Sequence, residues 1–207
     1  IDDQDKVRML IDPTSSYAKA AAAAMNRSID DVIIAAFDAA ADTGVAGGTS
    51  TALPSSSKFA TSDQSDGMTI AKLRQAKFFF DNGSVDPSLK RYVVAGPKQI
   101  QDLLATTEVT SADFNTVRAL AAGEVNSFLG FDFIMSTRLS LDSTNTTDRK
   151  CFAFTEDAIK LAIGKDVSAK ISERADKSYA TQVYYCMSIG ATRMEEEKVV
   201  EVQAHEA

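Results

Sequence analysis

The chain has 207 residues, 44% hydrophobic and 25% charged, so a core of ordinary size fits one large domain or two small ones. Its 29 acidic residues outnumber its 22 basic ones, and the net charge is -7. This balance offers no broad basic surface to phosphates and does not favour nucleic-acid binding as the main function. Two cysteines are too few for a disulfide framework, and no apolar run approaches the roughly 18 residues of a membrane span.

A long amphipathic helix is predicted over residues 14–42. Pro13 cannot continue a helix backwards, residues that can cap a helix follow it, and no glycine interrupts the run before Gly44. At helical spacing the apolar side chains share an arc about 100° wide. They are Ala18, Ala22, Met25, Ile29, Val32, Ile33, Ala36 and Ala40.

The opposite face of this helix is polar. Arg27 and Asp31 lie there four residues apart, a spacing that favours an ion pair. Ile34 falls near the same face, and Phe37 lies at the edge of the apolar arc. The helix is either an ordinary core helix or a strut, roughly 40 Å long, that makes contacts beyond its own core.

Two stretches flank the helix. In residues 1–12 apolar side chains recur at every second position near the end of the stretch, which predicts a short extended segment. Residues 43–67 are rich in Gly, Ser, Thr and Asp and are predicted to form a surface loop, although their composition also permits a β-hairpin around Pro54.

The remaining segments alternate between helices and strands without a strict order, which predicts an α+β fold. The predicted helices are 70–81 with Thr69 as its cap, 97–104 with Pro97 at its first position, 111–122 and 155–163. The predicted strands are 91–95, 128–137, 151–154, 167–171, 180–189 and 199–203. A polar loop over 139–150 and an acidic turn over 194–198 complete the pattern.

The residue types that enzymes use are scarce. The single histidine, His205, is close to the end of the sequence and is expected to be solvated. One histidine and two distant cysteines, Cys151 and Cys186, do not make a zinc site. The glycine-rich stretch 44–51 lacks the lysine of a phosphate loop. No catalytic, metal-binding or cofactor-binding residue is therefore predicted.

Several stretches carry packing patterns in a recognisable order. They are DKVRMLIDPTSSYAKAAAAAMNRSIDDVIIAAF, then RYVVAGPKQIQDLL, then FLGFDFIMSTRL with CFAFTEDAIKLAIG, and finally ISERADKSYATQVYYCMSIGATRMEEEKVVEV. Together they resemble the major capsid proteins of tailed bacteriophages with the Hong Kong 97-type fold. The first is similar to the end of an extended loop and the spine helix that follows it. The middle ones are similar to axial-domain elements, and the last to long peripheral-domain strands.

The resemblance implies an α+β, Hong Kong 97-like capsid fold. Its peripheral domain is expected over 1–68 and 165–207, with the spine helix at 14–42, and its axial domain over 69–164. Almost nothing precedes the helix, so the family's N-terminal arm and most of its extended loop are expected to be absent.

The function implied by the resemblance is that of a non-enzymatic structural subunit of an icosahedral phage or prophage shell. Copies would assemble into hexamers and pentamers in the bacterial host cytoplasm and become part of the virion capsid. They would enclose packaged DNA without sequence-specific binding. Scaffold and portal proteins are further expected partners, whereas no membrane and no cofactor is involved. The candidate contact residues between subunits are Arg27, Asp31, Ile34, Phe59, Arg193 and Glu196.

Three alternatives remain open at this point. The first is the shell of a related protein compartment built on the same fold. The second is a small α/β enzyme that uses Cys151 or serine groups, against which the scarcity of histidine and the missing site motifs argue. The third is a binding module that uses the 43–67 loop, for which loop length is the sole indication.

Overall fold

A computed structural model describes residues 14–59, 66–105, 127–143 and 146–206. The chain divides into two compact units. One consists of residues 1–33 and 161–191, and the other of residues 34–160 and 192–207.

The described residues contain α-helices, β-strands and short 3-10 turns. The helices are α1 (Thr14–Asp38), α2 (Ile70–Asn82) and α3 (Pro97–Ala105). The first strands are β1 (Ala41–Thr43), β2 (Thr49–Thr51), β3 (Lys58–Phe59), β4 (Arg91–Ala95) and β5 (Ser127–Phe128). The later ones are β6 (Phe131–Met135), β7 (Asp148–Thr155), β8 (Ile159–Arg174), β9 (Ala180–Arg193) and β10 (Val199–His205).

The long predicted helix is confirmed as α1, but its predicted end at residue 42 is wrong. The helix ends at Asp38, and Ala41 already pairs with Thr51 as the first residue of a hairpin. Its most buried residues are at this end, where Ala36 is 5% and Phe37 1% exposed. Phe37 is therefore central to the packing, although the helical pattern placed it at the edge of the apolar arc.

A mixed sheet forms the second unit. Six described strands lie in the order β3-β10-β7-β4-β6-β5. β4 runs parallel to β6 and antiparallel to β7, and β10 runs antiparallel to β7. β4, β7 and β10 are buried along almost their whole length, as expected of central strands covered on both faces.

Aromatic side chains join the helices of this unit to the sheet. Phe37 stacks on Phe152 with ring centroids 5.0 Å apart and lies 4.7 Å from the ring of Phe154. Phe80 of α2 lies 6.1 Å from Phe131 of β6. Each of these rings buries a large apolar area, so together they provide a major part of the packing energy.

Several local predictions are confirmed. Helix α2 begins after Thr69, whose hydroxyl accepts the Lys72 amide, and its C-cap is Gly83. Strand β4 and helix α3 match their predicted ranges, and Pro97 is the first residue of α3. The strands predicted over 151–154, 180–189 and 199–203 are each present and longer than predicted.

The helix predicted over 155–163 is wrong. The Ala158 amide donates to the Thr155 carbonyl, which closes a turn between β7 and β8. The Thr155 hydroxyl bonds to the Asp157 carboxylate instead of capping a helix. From Ile159 onward, apolar residues alternate with others, and this alternation continues into a strand of 16 residues. The strand predicted over 167–171 is part of β8.

Two further predictions need correction because glycines make turns inside them. In the predicted loop 43–67, strands β1 and β2 form a hairpin whose turn holds Gly44 and Gly47 at positive φ. The hairpin thus lies ahead of Pro54, which precedes a 3-10 turn. The strand predicted over 128–137 is divided by a turn at Gly130, with φ of 82°, into the antiparallel pair β5 and β6.

The first unit contains most of α1 and of the β8–β9 ribbon. One face of β9 carries Val183, Tyr185, Met187 and Ile189, which are half-buried. The Tyr185 hydroxyl donates to the Ala18 carbonyl over 3.0 Å. Since a two-stranded ribbon is marginally stable alone, packing against this helix stabilises it. The predictions over residues 1–12 and 111–122 lie outside the described residues.

Truncation of Phe37 tests this packing. We expect Phe37→Ala to lower the free energy of unfolding by about 3–5 kcal/mol, because it removes a fully buried ring and leaves a cavity. Tyr17→Ala is the matched control, since Tyr17 is 56% exposed and its loss should cost about 0.5 kcal/mol or less. Urea unfolding followed by circular dichroism measures both. Equal losses would contradict the assignment of Phe37 to the core.

Candidate assembly surfaces

The carboxyl end of α1 is held by a buried arginine. The Arg193 guanidinium donates from Nη1 to the carbonyls of Phe37 and Ala39, each over 2.9 Å, and from Nη2 to the Thr51 carbonyl over 3.1 Å. Arg193 is 4% exposed, and burial lowers the pKa of its guanidinium. The last carbonyls of a helix lack intrahelical donors, so a cation here satisfies them and complements the helix dipole.

A cluster of charged side chains lies beside this helix end. Asp38 accepts from Lys58 at Oδ1 and from Lys150 at Oδ2, each over 2.6 Å. Lys58 also lies 3.2 Å from Oε2 of Glu201, which is fully buried in β10. Lys150 lies 3.6 Å from Asp142. We call these five residues the ion cluster. It connects the carboxyl end of α1, which belongs to the second unit, to the sheet of that unit.

The pKa values of the ion cluster reflect a balance between burial and pairing. Burial opposes ionisation of Asp38, but hydrogen bonds from Lys150 and Lys58 outweigh it and hold the pKa of Asp38 below its ordinary value. Burial likewise opposes the charge of each lysine, but the hydrogen bond to Asp38 together with the negative charges of Glu201 and Asp38 outweighs it and raises both lysine pKa values. Asp38, Lys58 and Lys150 are therefore charged at neutral pH, and the shortest contacts of the cluster are those of Asp38.

The predicted contact residues occupy different places in the structure. Arg27 is exposed in the first unit, where Asp31 is half-buried. In the second unit Ile34 and Glu196 are half-buried, and Phe59 lies on the edge strand β3 with its ring 5.8 Å from Phe79.

Arg193 differs from the others because it is internal. Its bonds to the helix end explain its burial without a neighbouring chain, and its predicted role in a subunit contact stays a prediction. Any such contact would act through the helix end, since the guanidinium itself is not at the surface.

Apolar side chains remain exposed on both units. In the first unit an open groove of about 310 Å³ is lined by Tyr17, Ala21, Thr181, Val183 and Tyr185. The largest exposures among apolar residues are those of Val45 at 113%, Phe78 at 68%, Met135 at 65% and Tyr179 at 62%. Exposed apolar groups are common singly, but an array of large ones is typical of proteins that associate.

The candidate reactive groups are placed in unlike environments. Burial raises the pKa of the Cys151 thiol to about 12. Cys186 is half-buried, and a hydrogen bond with Lys165, supported by Ser168, lowers its pKa. The expectation of a solvated His205 is wrong, because Nδ1 of His205 lies 2.9 Å from the Asp148 carboxylate in the neighbouring strand.

The described residues contain no group of three or more His, Cys, Asp or Glu side chains arranged to hold a metal ion. Of the described helices, none combines the length and apolarity needed to cross a membrane.

The ion cluster and the internal position of Arg193 were not predicted from the sequence. Asp38, Lys58, Lys150 and Glu201 are separated by up to 163 residues along the chain, and no local spacing joins them. A weak signal does exist in β10, where Glu201 interrupts an apolar run of valines. A buried strand tolerates such charges when partners of opposite charge are provided elsewhere in the fold.

Comparison with known proteins decides the class of this chain. The family model described as phage capsid protein matches residues 1–206. The chain belongs to the phage capsid protein family. It is accordingly a structural subunit of a phage shell and a component of the virion capsid, and the enzyme and binding-module alternatives are not favoured. No curated protein matches the sequence.

Solved capsid structures share the fold of this capsid protein. A chain from Mycobacterium phage Che8 is 22% identical and has a TM-score of 0.67, with 98% of this chain and 67% of that chain covered. The capsid structure of Cyanophage P-SCSP1u is 19% identical with a TM-score of 0.73, and the match covers 100% of this chain and 70% of that chain. The capsid of Cyanophage Pam1 is 14% identical with a TM-score of 0.72, and the match covers 100% of this chain and 73% of that chain. The expected α+β, Hong Kong 97-like capsid fold is confirmed.

The two thiols should differ in reactivity in the unassembled subunit. We expect iodoacetamide at pH 8 to modify Cys186 and to leave Cys151 unmodified, because alkylation requires an accessible thiolate. Peptide mass spectrometry at successive times measures each site. Modification of both thiols in denaturant provides the control, and equal rates under native conditions would contradict the two environments.

Proposed function

We propose that copies of this capsid protein assemble as hexamers and pentamers into an icosahedral shell that encloses packaged DNA. The shell holds the DNA without sequence-specific binding, and scaffold and portal proteins take part in assembly in the bacterial host cytoplasm. The subunit works by self-association, without catalysis. The observation that carries the proposal is the family match, which extends over residues 1–206.

Charge and surface agree with this mode of action. A net charge of -7 limits adhesion of the shell wall to DNA phosphates. Large apolar side chains remain exposed in the single chain, as expected of a protein whose native state includes neighbours.

The domain assignment belongs to the same proposal. We retain a peripheral domain over 1–68 and 165–207 and an axial domain over 69–164. In this arrangement axial domains meet at the centre of each capsomer, and α1 with the β8–β9 ribbon forms its periphery.

Contacts between subunits are proposed at Arg27, Asp31, Ile34, Phe59 and Glu196, with Arg193 acting behind them. Arg27 is the most direct test because its side chain is exposed. A contact of this kind recurs at every copy in a shell, so a small loss at one residue is multiplied over the lattice.

Expression of the full-length protein and negative-stain electron microscopy test the proposal. We expect closed, uniform shells from the unaltered protein. Arg27→Glu should reduce their yield while changing the free energy of unfolding of the subunit by about 0.5 kcal/mol or less. Arg27→Lys keeps the charge and serves as the matched control. Unaltered protein that stays monomeric under all assembly conditions would refute the function, and normal shells from Arg27→Glu would remove this residue from the contact.

A further inference from the structure

An open cavity of about 620 Å³ lies in the second unit, between the carboxyl end of α2 and the β5–β6 turn. Its lining includes Lys77, Asp81 and Arg91, together with Ser84 and Leu129. The two cations outnumber the one carboxylate, so this cavity is positively charged in a chain whose net charge is -7.

Two of the three nitrogens of the Arg91 guanidinium have no hydrogen-bond acceptor among the described residues. Arg91 is 7% exposed, and Nη1 donates to the Asp81 carboxylate over 2.8 Å. Its guanidinium carbon lies 5.5 Å from the centre of the Phe80 ring, which fixes its plane. Among the described residues, no acceptor lies within bonding distance of Nε or Nη2. A buried cation with unsatisfied donors favours an incoming anionic acceptor.

The walls of the cavity are conformationally strained. Ser84 and Leu129, on opposite sides, have φ values of 56° and 53°. Residues other than glycine rarely adopt this left-handed conformation, and such strain is concentrated at sites that bind or switch. The β5–β6 turn also holds Gly130 at φ of 82°, and both Leu129 and Gly130 line the cavity.

An exposed aromatic residue lies next to Lys77 in the sequence of α2. Phe78 is 68% exposed and follows Lys77 directly in α2. A free anion would leave this ring in water, whereas a protein surface would cover it. Aromatic residues and arginine are enriched where proteins meet, and a carboxylate buried against Arg91 beside a covered Phe78 is typical of such a contact.

We infer that the Arg91 cavity receives an aspartate or glutamate side chain from a second copy of this chain, and that the same contact covers Phe78. The inference rests on the proposed function, which brings copies together at fixed positions. Charge complementarity supports it, because the cavity is cationic and the chain has 29 acidic residues against 22 basic ones. The incoming carboxylate would accept from Arg91 and form an ion pair with Lys77 at the rim.

Carbodiimide crosslinking of mixed shells tests the contact directly. Full-length subunits with heavy and light isotopes are assembled in equal amounts and treated with a carbodiimide, which joins a lysine to an adjacent carboxylate. We expect Lys77 to be joined to an acidic residue of the other isotope in shells and not in unassembled subunits. Shells in which Lys77 is joined solely within its own copy would overturn the inference.

Matched variants separate this contact from folding. Lys77 is exposed, so Lys77→Glu should fold normally and reduce shell yield by about tenfold, because it places a negative charge at the cavity rim. Lys160→Glu makes the same change of charge at an exposed position outside the cavity and should leave the yield within about twofold. Equal yields from the two variants would overturn the inference.

Failure of the inference is distinguishable from failure of the proposed function. Normal shells without a Lys77 link between copies would count against the contact alone, whereas absence of shells from the unaltered protein would overturn both. Inorganic phosphate and acetate added to unassembled subunits provide the remaining arm. A rise in melting temperature that Lys77→Glu abolishes, without a link between copies, would assign the cavity to a free anion and overturn the second-copy contact.

Discussion

The attachment of the carboxyl end of α1 to the sheet of the second unit is the interaction on which the architecture of that unit depends. A helix of 25 residues ends with carbonyls that need donors, and Arg193 supplies them from the end of β9. Asp38, the last helical residue, connects at the same place to Lys58 and Lys150. Phe37 fills the apolar space alongside, so polar and apolar contacts fix the same turn of helix.

The sequence predicted those features that depend on neighbours along the chain. Thr69 caps α2, Pro97 begins α3, and β9 includes the whole strand predicted over 180–189. The predicted helix over 155–163 failed because a capping threonine and the alternating run after it supported different structures, and the alternation prevailed. The ion cluster could not be predicted because its charges lie far apart in sequence, and the single local signal, Glu201 within an apolar strand, does not identify its partners.

The capsid function follows from the order of elements and the family match. The structure provides the surfaces at which contacts between copies can be proposed. The function of a shell subunit lies in its contact surfaces, and surfaces have weaker sequence signals than active sites. The exposed Arg27 and the Arg91 cavity belong to different units, so the two contacts we propose can be tested separately. Arg193 is internal and stabilises the carboxyl end of α1 within the subunit, and its role in a subunit contact stays a prediction.

The pH dependence of unfolding in Asp38→Asn tests this attachment of α1 most directly. The folded pKa of Asp38 is depressed, so its contribution to stability is present above the unfolded pKa of about 3.9 and is lost as pH falls through the folded value. The variant should lose about 2 kcal/mol of stability at pH 7. It should also lose less stability than the unaltered protein between about pH 5 and pH 2, in urea unfolding of unassembled subunits. Parallel pH profiles, with equal stability at pH 7, would contradict the attachment.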